Sequence, residues 1–561
     1  MEKIWLKSYP DDVPHEIDLS PFKSLTQLLE ESFRRNARNP FSVCMDRWMS
    51  YGQLDELSRT FGAWLQSKGL EPGARVALML PNVPQFAVSM AAILRAGYTC
   101  VNVNPLYTAR ELEHQLKDSG ATTIVILENF AHTLEEVIDR TQIQHVVVAS
   151  MGDLLGFWYG NWITFAIRHL AKMVPAYQFA LPAGRTVTAF NSCLAEGTKM
   201  SLRSAPVTMD SVAFLQYTGG TTGLSKGAVL THRNIVASIL QSEAWFKPAL
   251  TRVGDASKLN LIAALPLYHI FALGLCMLSI RFGAHMTLIP NPRDFSKFVA
   301  VLKKRPFHIL PAVNTLFNAL LQQPQFKTLD FSNLCVTQAG GMAASEGTSK
   351  HWMETTGCPM VEGWGMSETC AIGTNNPVNS KSFSGTIGLP LPSIDIAIKD
   401  EAGNSLPAGS SGEICIRGPN VMTGYYQQPE ENAKAFTADG FLRTGDVGIM
   451  DERGYTRIVD RIKDMILVSG FNVFPSELEN VISLCDGVLE CAVIGVADAK
   501  QGEAIKVFIV RDSPTLSESD VLKYCDANLT GYKRPKYIEF RDDLPKSNVG
   551  KILRRQLRTE K

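Results

Sequence analysis

The chain has 561 residues, 45% hydrophobic and 20% charged, with 55 basic and 55 acidic side chains. That length exceeds what one hydrophobic core holds and implies two to four domains or subdomains of an ordinary globular protein. Zero net charge argues against non-specific nucleic-acid binding, and eleven cysteines without a Cys-x-x-Cys pair offer no metal or disulfide framework.

The start, Met1-Glu-Lys-Ile-Trp-Leu-Lys, carries no apolar secretory core, so a reducing, cytoplasmic setting is expected. Leu25, Leu28, Leu29 and Phe33 have helical spacing. Between about 50 and 150 helix and strand signals alternate. Leu54–Leu70 reads as a helix, Arg75–Leu80 as a strand, and Pro84–Gly97 as a helix with proline in its first turn and glycine closing it. Strands follow at Cys100–Val103, Thr122–Leu127 and His145–Ala149. This alternation predicts a mainly parallel sheet covered by helices. Residues 154–177 break the rhythm: Phe157, Trp158, Tyr159, Trp162 and Phe165 precede Arg168, His169 and Lys172. Aromatic rings beside basic groups suit a membrane interface. A helical hairpin packed on the domain or at a dimer contact is the alternative.

Tyr217-Thr-Gly-Gly-Thr-Thr-Gly-Leu-Ser-Lys-Gly227 is the most informative stretch. Gly219, Gly220 and Gly223 let the backbone approach an anion, Thr218, Thr221 and Thr222 donate hydrogen bonds, and Lys226 adds charge. Such a loop suits a polyphosphate; the plain alternative is a flexible surface loop. It is not a Walker A loop, because Gly223 precedes Lys226 by three and Gly227 follows the lysine. Leu261–Ile280 is long enough to span a membrane, but Pro266, His269 and the following Arg281 favour a buried strand and helix. Strands are expected at Met286–Ile289, Phe307–Leu310 and Leu334–Gly341, then short strands at Ile394–Ile398 and Glu413–Arg417 in a β-rich subdomain. From about 464 a compact α+β unit follows. It has helices near Ser476–Ser483 and Glu518–Asn528, and strands at Glu490–Gly495 and Ala504–Val510.

Five further stretches carry chemistry. Glu362-Gly-Trp-Gly-Met-Ser-Glu368 offers Trp364 for stacking on adenine, Ser367 for a phosphate and Glu368 for Mg²⁺. Asp446, in Arg443-Thr-Gly-Asp446, can accept from ribose hydroxyls. Asp460-Arg-Ile-Lys-Asp464 falls at the expected boundary. Ser469-Gly-Phe-Asn-Val-Phe-Pro-Ser-Glu477 leads into a helix, and Leu544-Pro-Lys-Ser-Asn-Val-Gly-Lys-Ile-Leu-Arg-Arg555 sets Lys551 after a glycine turn. Taken singly, the first and fourth read equally well as an ordinary turn and a plain loop, and the others read better as a turn aspartate, a solvated linker and a basic tail.

In this order the set resembles the adenylate-forming superfamily of acyl-CoA synthetases, firefly luciferases and nonribosomal peptide synthetase adenylation domains. The resemblance covers nearly the whole chain and is strongest to bacterial long-chain fatty-acid–CoA ligases. Val101–His114, Leu265–Ala272, Val313–Leu321 and Asp464–Pro475 support it.

The resemblance implies an α/β fold. A large N-terminal domain (1–459) would hold two sheets and a β-barrel-like subdomain, joined by a hinge (460–464) to a small mobile α+β domain (465–561). It assigns ATP to Tyr217, Thr218, Gly219, Gly220, Thr221, Thr222, Gly223, Lys226, Gly341, Trp364, Ser367, Asp446 and Arg461, and Mg²⁺ to Glu368 and Thr221. It makes Lys551 the adenylation lysine, sets His269 by the acyl carboxylate, and puts Lys463 next to the hinge. Ser469, Gly470 and Phe471 would meet CoA. Phe271, Val313, Leu316, Phe317 and Met342, mostly apolar, are candidates to line an acyl pocket, and core residues otherwise. Gly219-Gly220 replaces the family's common Ser-Gly, Ser225 its Pro, Trp364 its Tyr and Ser367 its Thr, each keeping the needed chemistry.

The implied activity is ligation of a fatty acid to CoA driven by ATP cleavage. An acyl-AMP ligase loading a carrier protein and a non-catalytic membrane fatty-acid binder are the alternatives. Peripheral attachment to the inner (cytoplasmic) membrane is a further expectation, and the sequence leaves a homodimer open.

Overall fold

The computed structural model describes residues 2–179, 184–218, 225–469, 471–498, 501–547 and 550–559. The phosphate-type loop from Gly219 to Leu224, with Gly219, Gly220, Thr221, Thr222 and Gly223, lies outside the described residues, as does Gly470.

The first sheet has seven strands in the spatial order Thr186–Ala189, His145–Ala149, Thr123–Leu127, Arg75–Met79, Thr99–Asn102, Val212–Tyr217 and Gly227–Thr231. All neighbours are parallel except the last pair. Thr123-Ile-Val-Ile-Leu127 is buried at every position, as expected of a parallel strand covered on both faces. The antiparallel hairpin ends with Tyr217 opposite Gly227. The described ends of the Gly/Thr stretch, Tyr217–Thr218 and Lys226–Gly227, therefore lie on a sheet-edge hairpin. Its stems are joined where Thr218 N–H donates to the Lys226 carbonyl at 3.0 Å. Thr231 then caps the helix His232–Leu250, its side chain accepting from Asn234 N–H.

The second sheet has nine strands, from Leu389–Pro390 at one edge to Arg47–Ser50 at the other. Its parallel middle runs through Asn260–Ala263, Ile309–Ala312, Val336–Ala339 and Met360–Trp364. The apolar run at 261–280 divides into the buried strand Asn260–Ala263 and the helix Ile270–Phe282, capped by His269. Among the described residues no helix is long and apolar enough to cross a membrane. The β-rich subdomain is an open four-stranded antiparallel sheet, Asp395–Lys399, Ser411–Arg417, Leu442–Met450 and Thr456–Arg461, and not a closed barrel.

The smaller C-terminal domain has a sheet of its own, Phe471–Val473, Ile466–Val468, Gly502–Arg511 and Val488–Asp498, with Tyr537–Arg541 added on Gly502–Arg511. The helices Pro475–Ile482 and Glu518–Asn528 bury Leu478, Ile482, Val521 and Cys525 against Val493, Val507 and Ile509. A separate core of this kind gives the unit cohesion independent of the larger one.

The 154–177 segment forms a helix, Phe157–Phe165, that runs on as a wider turn, Ala166–Leu170. Phe157 is 73% and Trp158 85% exposed, and Trp162 and Phe165 are exposed as well, whereas Tyr159 packs on the main core beneath Arg47. The helix is held at its base, where the buried Glu128 carboxylate accepts from Arg168 Nε at 2.7 Å and the backbones of Gly152 and Gly160 meet too closely for any side chain.

Candidate active site

The site forms where the ends of the second and third sheets meet the C-terminal domain. Trp364 ends the strand Met360–Trp364, and its indole Nε1–H donates to Asp446 Oδ2 at 2.9 Å. Asp446 faces Arg461 across the antiparallel pair Leu442–Met450 and Thr456–Arg461, and Arg461 Nε reaches Asp446 Oδ1 at 2.8 Å. Residues far apart in sequence thus share one buried carboxylate, which still has lone pairs for a ligand's hydroxyls. Trp364 is itself 8% exposed, and its ring edge packs on Gly373, where a Cβ would come within 2.6 Å.

The turn Ser367–Thr369 follows, carrying Ser367 and Glu368. Glu368 is buried, and burial raises its pKa although Tyr425 Oη donates to Oε1 at 2.7 Å. A carboxylate in this condition gains from a cation. No cluster of three metal-binding side chains occurs among the described residues. A single acid suits an ion such as Mg²⁺, which keeps several waters and takes its other ligands from substrate phosphates.

The hairpin stem places its two described ends differently. Tyr217 Oη is turned to Asp118 Oδ2 at 2.5 Å, and its ring covers Gly227. Lys226 Nζ makes an ion pair with Glu431 and lies 5.4 Å above the Tyr425 ring.

His269 Nδ1 accepts from Phe271 N–H at 3.3 Å. Burial, and then the charge of Lys551, push its pKa down to about 4. The imidazole is therefore neutral near pH 7, with its proton on Nε2, and can donate to a carboxylate oxygen. Phe271, Val313, Leu316 and Met342 belong to one apolar cluster, and the Phe271 ring packs on Gly340, next to Gly341 at φ +76°. Phe317 is fully buried against Trp352, with ring centroids 4.7 Å apart, in a second core that Leu316 also touches. Its helical spacing resembles that of Leu316 and the other candidates, so sequence could not separate it from them.

Lys551 arrives from the C-terminal domain. Its turn is closed by Ser547 N–H to the Lys551 carbonyl at 2.7 Å and by Gly550 at φ +83°. The Gly550 carbonyl accepts from Thr315 Oγ1 at 3.4 Å, and a Cβ on Gly550 would sit 2.4 Å from that oxygen. Here the lysine is half-buried, and its withdrawal from water, followed by the Arg461 charge, lowers its pKa to about 8, against the pull of Asp446. Arg461 pairs with Asp446, both charges act on Lys551, and Lys551 acts on His269, so the four lie within electrostatic reach of one another. Lys463 lies in the short turn Ile462–Asp464, with its pKa lowered first by burial and next by Arg461. Ser469 and Phe471 sit on the edge hairpin of the C-terminal sheet, where Ser469 N–H bonds Gln501 and Phe471 stacks on Tyr532 at 4.7 Å.

Several participants were not legible in sequence. Arg554 binds Glu479 through Nε at 2.9 Å, Asp464 at 3.3 Å and Asp460 at 3.8 Å, so it ties both ends of the 460–464 segment to the C-terminal helix. It was visible only as part of a basic tail. Tyr425 and Glu431 bear no local signal, and their partners Glu368 and Lys226 lie 57 and 205 residues away.

The AMP-binding enzyme family matches residues 29–426 and its C-terminal domain matches 477–551. With two sheets, a β-rich subdomain and a separate C-terminal domain around one nucleotide-type site, the chain belongs to the AMP-binding enzymes and, within them, to the bacterial long-chain-fatty-acid–CoA ligases. It is 48% identical to the long-chain-fatty-acid–CoA ligase of Escherichia coli O6:H1, over 100% of this chain and 98% of that one. It is 45% identical to the enzyme of the same name from Haemophilus influenzae, over 100% and 99%. Among solved structures it is similar to ATP-bound MatB from Rhodopseudomonas palustris, with a TM-score of 0.79 and 28% identity over 95% of this chain and 98% of that one.

Proposed function

We propose that this chain joins long-chain fatty acids to CoA through an acyl-adenylate, using ATP and releasing AMP and pyrophosphate. The half-buried Lys551, within electrostatic reach of His269, Asp446 and Arg461, is the observation that carries the reading. A fatty acid is a poor acyl donor because its carboxylate oxygen leaves badly. Its attack on the α-phosphorus of ATP forms the mixed anhydride and expels pyrophosphate. Two anions must meet, and cations held in a site shielded from water lower that barrier.

In this scheme Asp446 accepts from the ribose hydroxyls, the Trp364 ring packs beside adenine, and Ser367 and Gly341 line the phosphate and adenine side. The Gly/Thr loop and Lys226 hold the β- and γ-phosphates. Glu368, with Thr221 from the loop, would hold Mg²⁺, which supplies charge neutralisation at the phosphates. The neutral His269 donates to the acyl carboxylate, and Lys551 bridges carboxylate and α-phosphate. A thiol then attacks the adenylate carbonyl and AMP leaves. Lys551 occupies the ground this second step needs, so the domain after 460–464 swings away and turns Ser469, Gly470 and Phe471 toward CoA. Breaking the contacts of Thr315 with Gly550, and shifting those of Arg554 with Asp460 and Asp464, accompanies that motion.

The apolar cluster of Phe271, Val313, Leu316 and Met342 supports a long acyl substrate, since each buried methylene contributes about 0.8 kcal/mol. AMP release with Mg-ATP and CoA is expected to be faster with palmitate or oleate than with acetate or benzoate. A profile that peaks below about eight carbons would overturn the long-chain reading.

The exposed rings of Phe157, Trp158 and Trp162 support a second property, peripheral attachment to a lipid surface from which such acids are drawn. The protein is expected to cosediment with anionic vesicles, and Trp158→Ser with Trp162→Ser is expected to weaken this. Absence of vesicle binding by the wild type would remove the proposal.

A further inference from the structure

Lys226 is held by a carboxylate from another part of the fold. Residues 424–426 run beside the lysine-bearing hairpin. Val229 N–H donates to the Gly424 carbonyl at 2.9 Å, and Tyr426 N–H to the Gly227 carbonyl at 2.8 Å. The chain then turns into the helix Pro429–Ala435, with Asn432 clamping Tyr425 through Oδ1 at 2.6 Å and Nδ2 at 2.9 Å. This turn brings Glu431 onto Lys226 Nζ. The ammonium also lies over the Tyr425 ring, whose hydroxyl is bonded to Glu368. One segment of nine residues therefore contacts both the lysine and the acid of the proposed phosphate site.

From this geometry we propose that Glu431 is a positioning residue that competes with pyrophosphate for Lys226 and speeds release of that product. The inference rests on the reading of Lys226 as a ligand of the β- and γ-phosphates. The Lys226 ammonium is a compact point charge on a flexible stem with rotatable donors, so it can pass from phosphate oxygen to carboxylate without a backbone movement. Glu431 and Lys226 are each more than a third exposed, so the pair is weak enough to be exchanged by a polyanion. When pyrophosphate separates from the adenylate, Glu431 recaptures the lysine and adds a like charge against the departing anion.

The test measures product inhibition by pyrophosphate, the KM for ATP and the affinity for AMP in wild type, Glu431→Gln and Glu431→Asp. Glu431→Gln is expected to lower the pyrophosphate inhibition constant by roughly threefold to fivefold, the range an exposed ion pair supports. The KM for ATP should fall with it. AMP binding should stay constant, because AMP lacks the two outer phosphates. Glu431→Asp keeps the charge and should move the values back toward wild type. An unchanged pyrophosphate constant, or an equal shift for AMP, would overturn the proposal, the second outcome marking a merely structural role. Failure of the wild type to catalyse fatty-acid-dependent ATP–pyrophosphate exchange would instead refute the underlying reading of the site.

Discussion

Lys551→Ala is expected to abolish acyl-adenylate formation and to leave thioester formation from a supplied acyl-adenylate intact. The lysine is half-buried within electrostatic reach of His269, Arg461 and Asp446, where its charge would meet both anions of the first step and neither partner of the second. Losing a stabiliser placed in this way costs on the order of 3 kcal/mol, or between a hundredfold and a thousandfold in rate. Equal loss of both half-reactions would refute the assignment.

The pH dependence adds a second signature. Burial lowers the Lys551 pKa to about 8, so the free enzyme loses the cation as pH rises through that value. kcat/KM for adenylation should therefore decline above about pH 8, since this parameter reports groups of the free enzyme. Lys551→Arg, which stays charged, should flatten the decline even if its rate is lower. A profile with no descending limb in the wild type would speak against a titrating Lys551.

Asp446→Ala carries the other large effect, and it acts on stability and activity together. The carboxylate is buried and accepts from Trp364 Nε1–H at 2.9 Å and from Arg461 at 2.8 Å. Its removal strands an indole N–H and a guanidinium. The expected cost is about 3 kcal/mol, the lower end for breaking a buried ion pair because Arg461 is partly exposed. The same change removes the acceptor for the ribose hydroxyls. Each hydrogen bond to a charged group contributes about 1.5–3 kcal/mol, so exchange activity should fall at least on the order of a hundredfold. A lowered melting temperature with normal ATP affinity would show that Asp446 serves the fold alone.

Much of this architecture was readable in sequence because its signals are local. The strand runs at 75–80, 122–127 and 145–149 contain enough β-branched and apolar residues to be recognised before their neighbours are known. The helix at 84–95 announces itself by Pro84 in its first turn. Trp364, Asp446, Arg461 and Lys551 could be named from their motifs, and the fold brings all four to one place.

What escaped the reading depends on contacts between distant segments. Glu431 is one acid among many until the turn at 424–432 sets it on Lys226. Thr315 gains meaning only when Gly550 comes close enough to exclude a side chain. Phe317 belongs to a second core although its spacing matches that of the other acyl-pocket candidates. In the aromatic helix, sequence could not separate packed rings from presented ones. The packing of Gly152 on Gly160 and the Arg168–Glu128 pair turn that helix so that Phe157 and Trp158 face outward.

If the fatty-acid carboxylate attacks the α-phosphorus of ATP, one of its oxygens must leave with AMP. Palmitate labelled with ¹⁸O in its carboxylate, incubated with Mg-ATP, CoA and the wild-type chain, tests it by mass spectrometry of the products. AMP should acquire a single labelled oxygen in each turnover, with palmitoyl-CoA keeping the other. Unlabelled AMP, or ADP and phosphate as the nucleotide products, would contradict that attack.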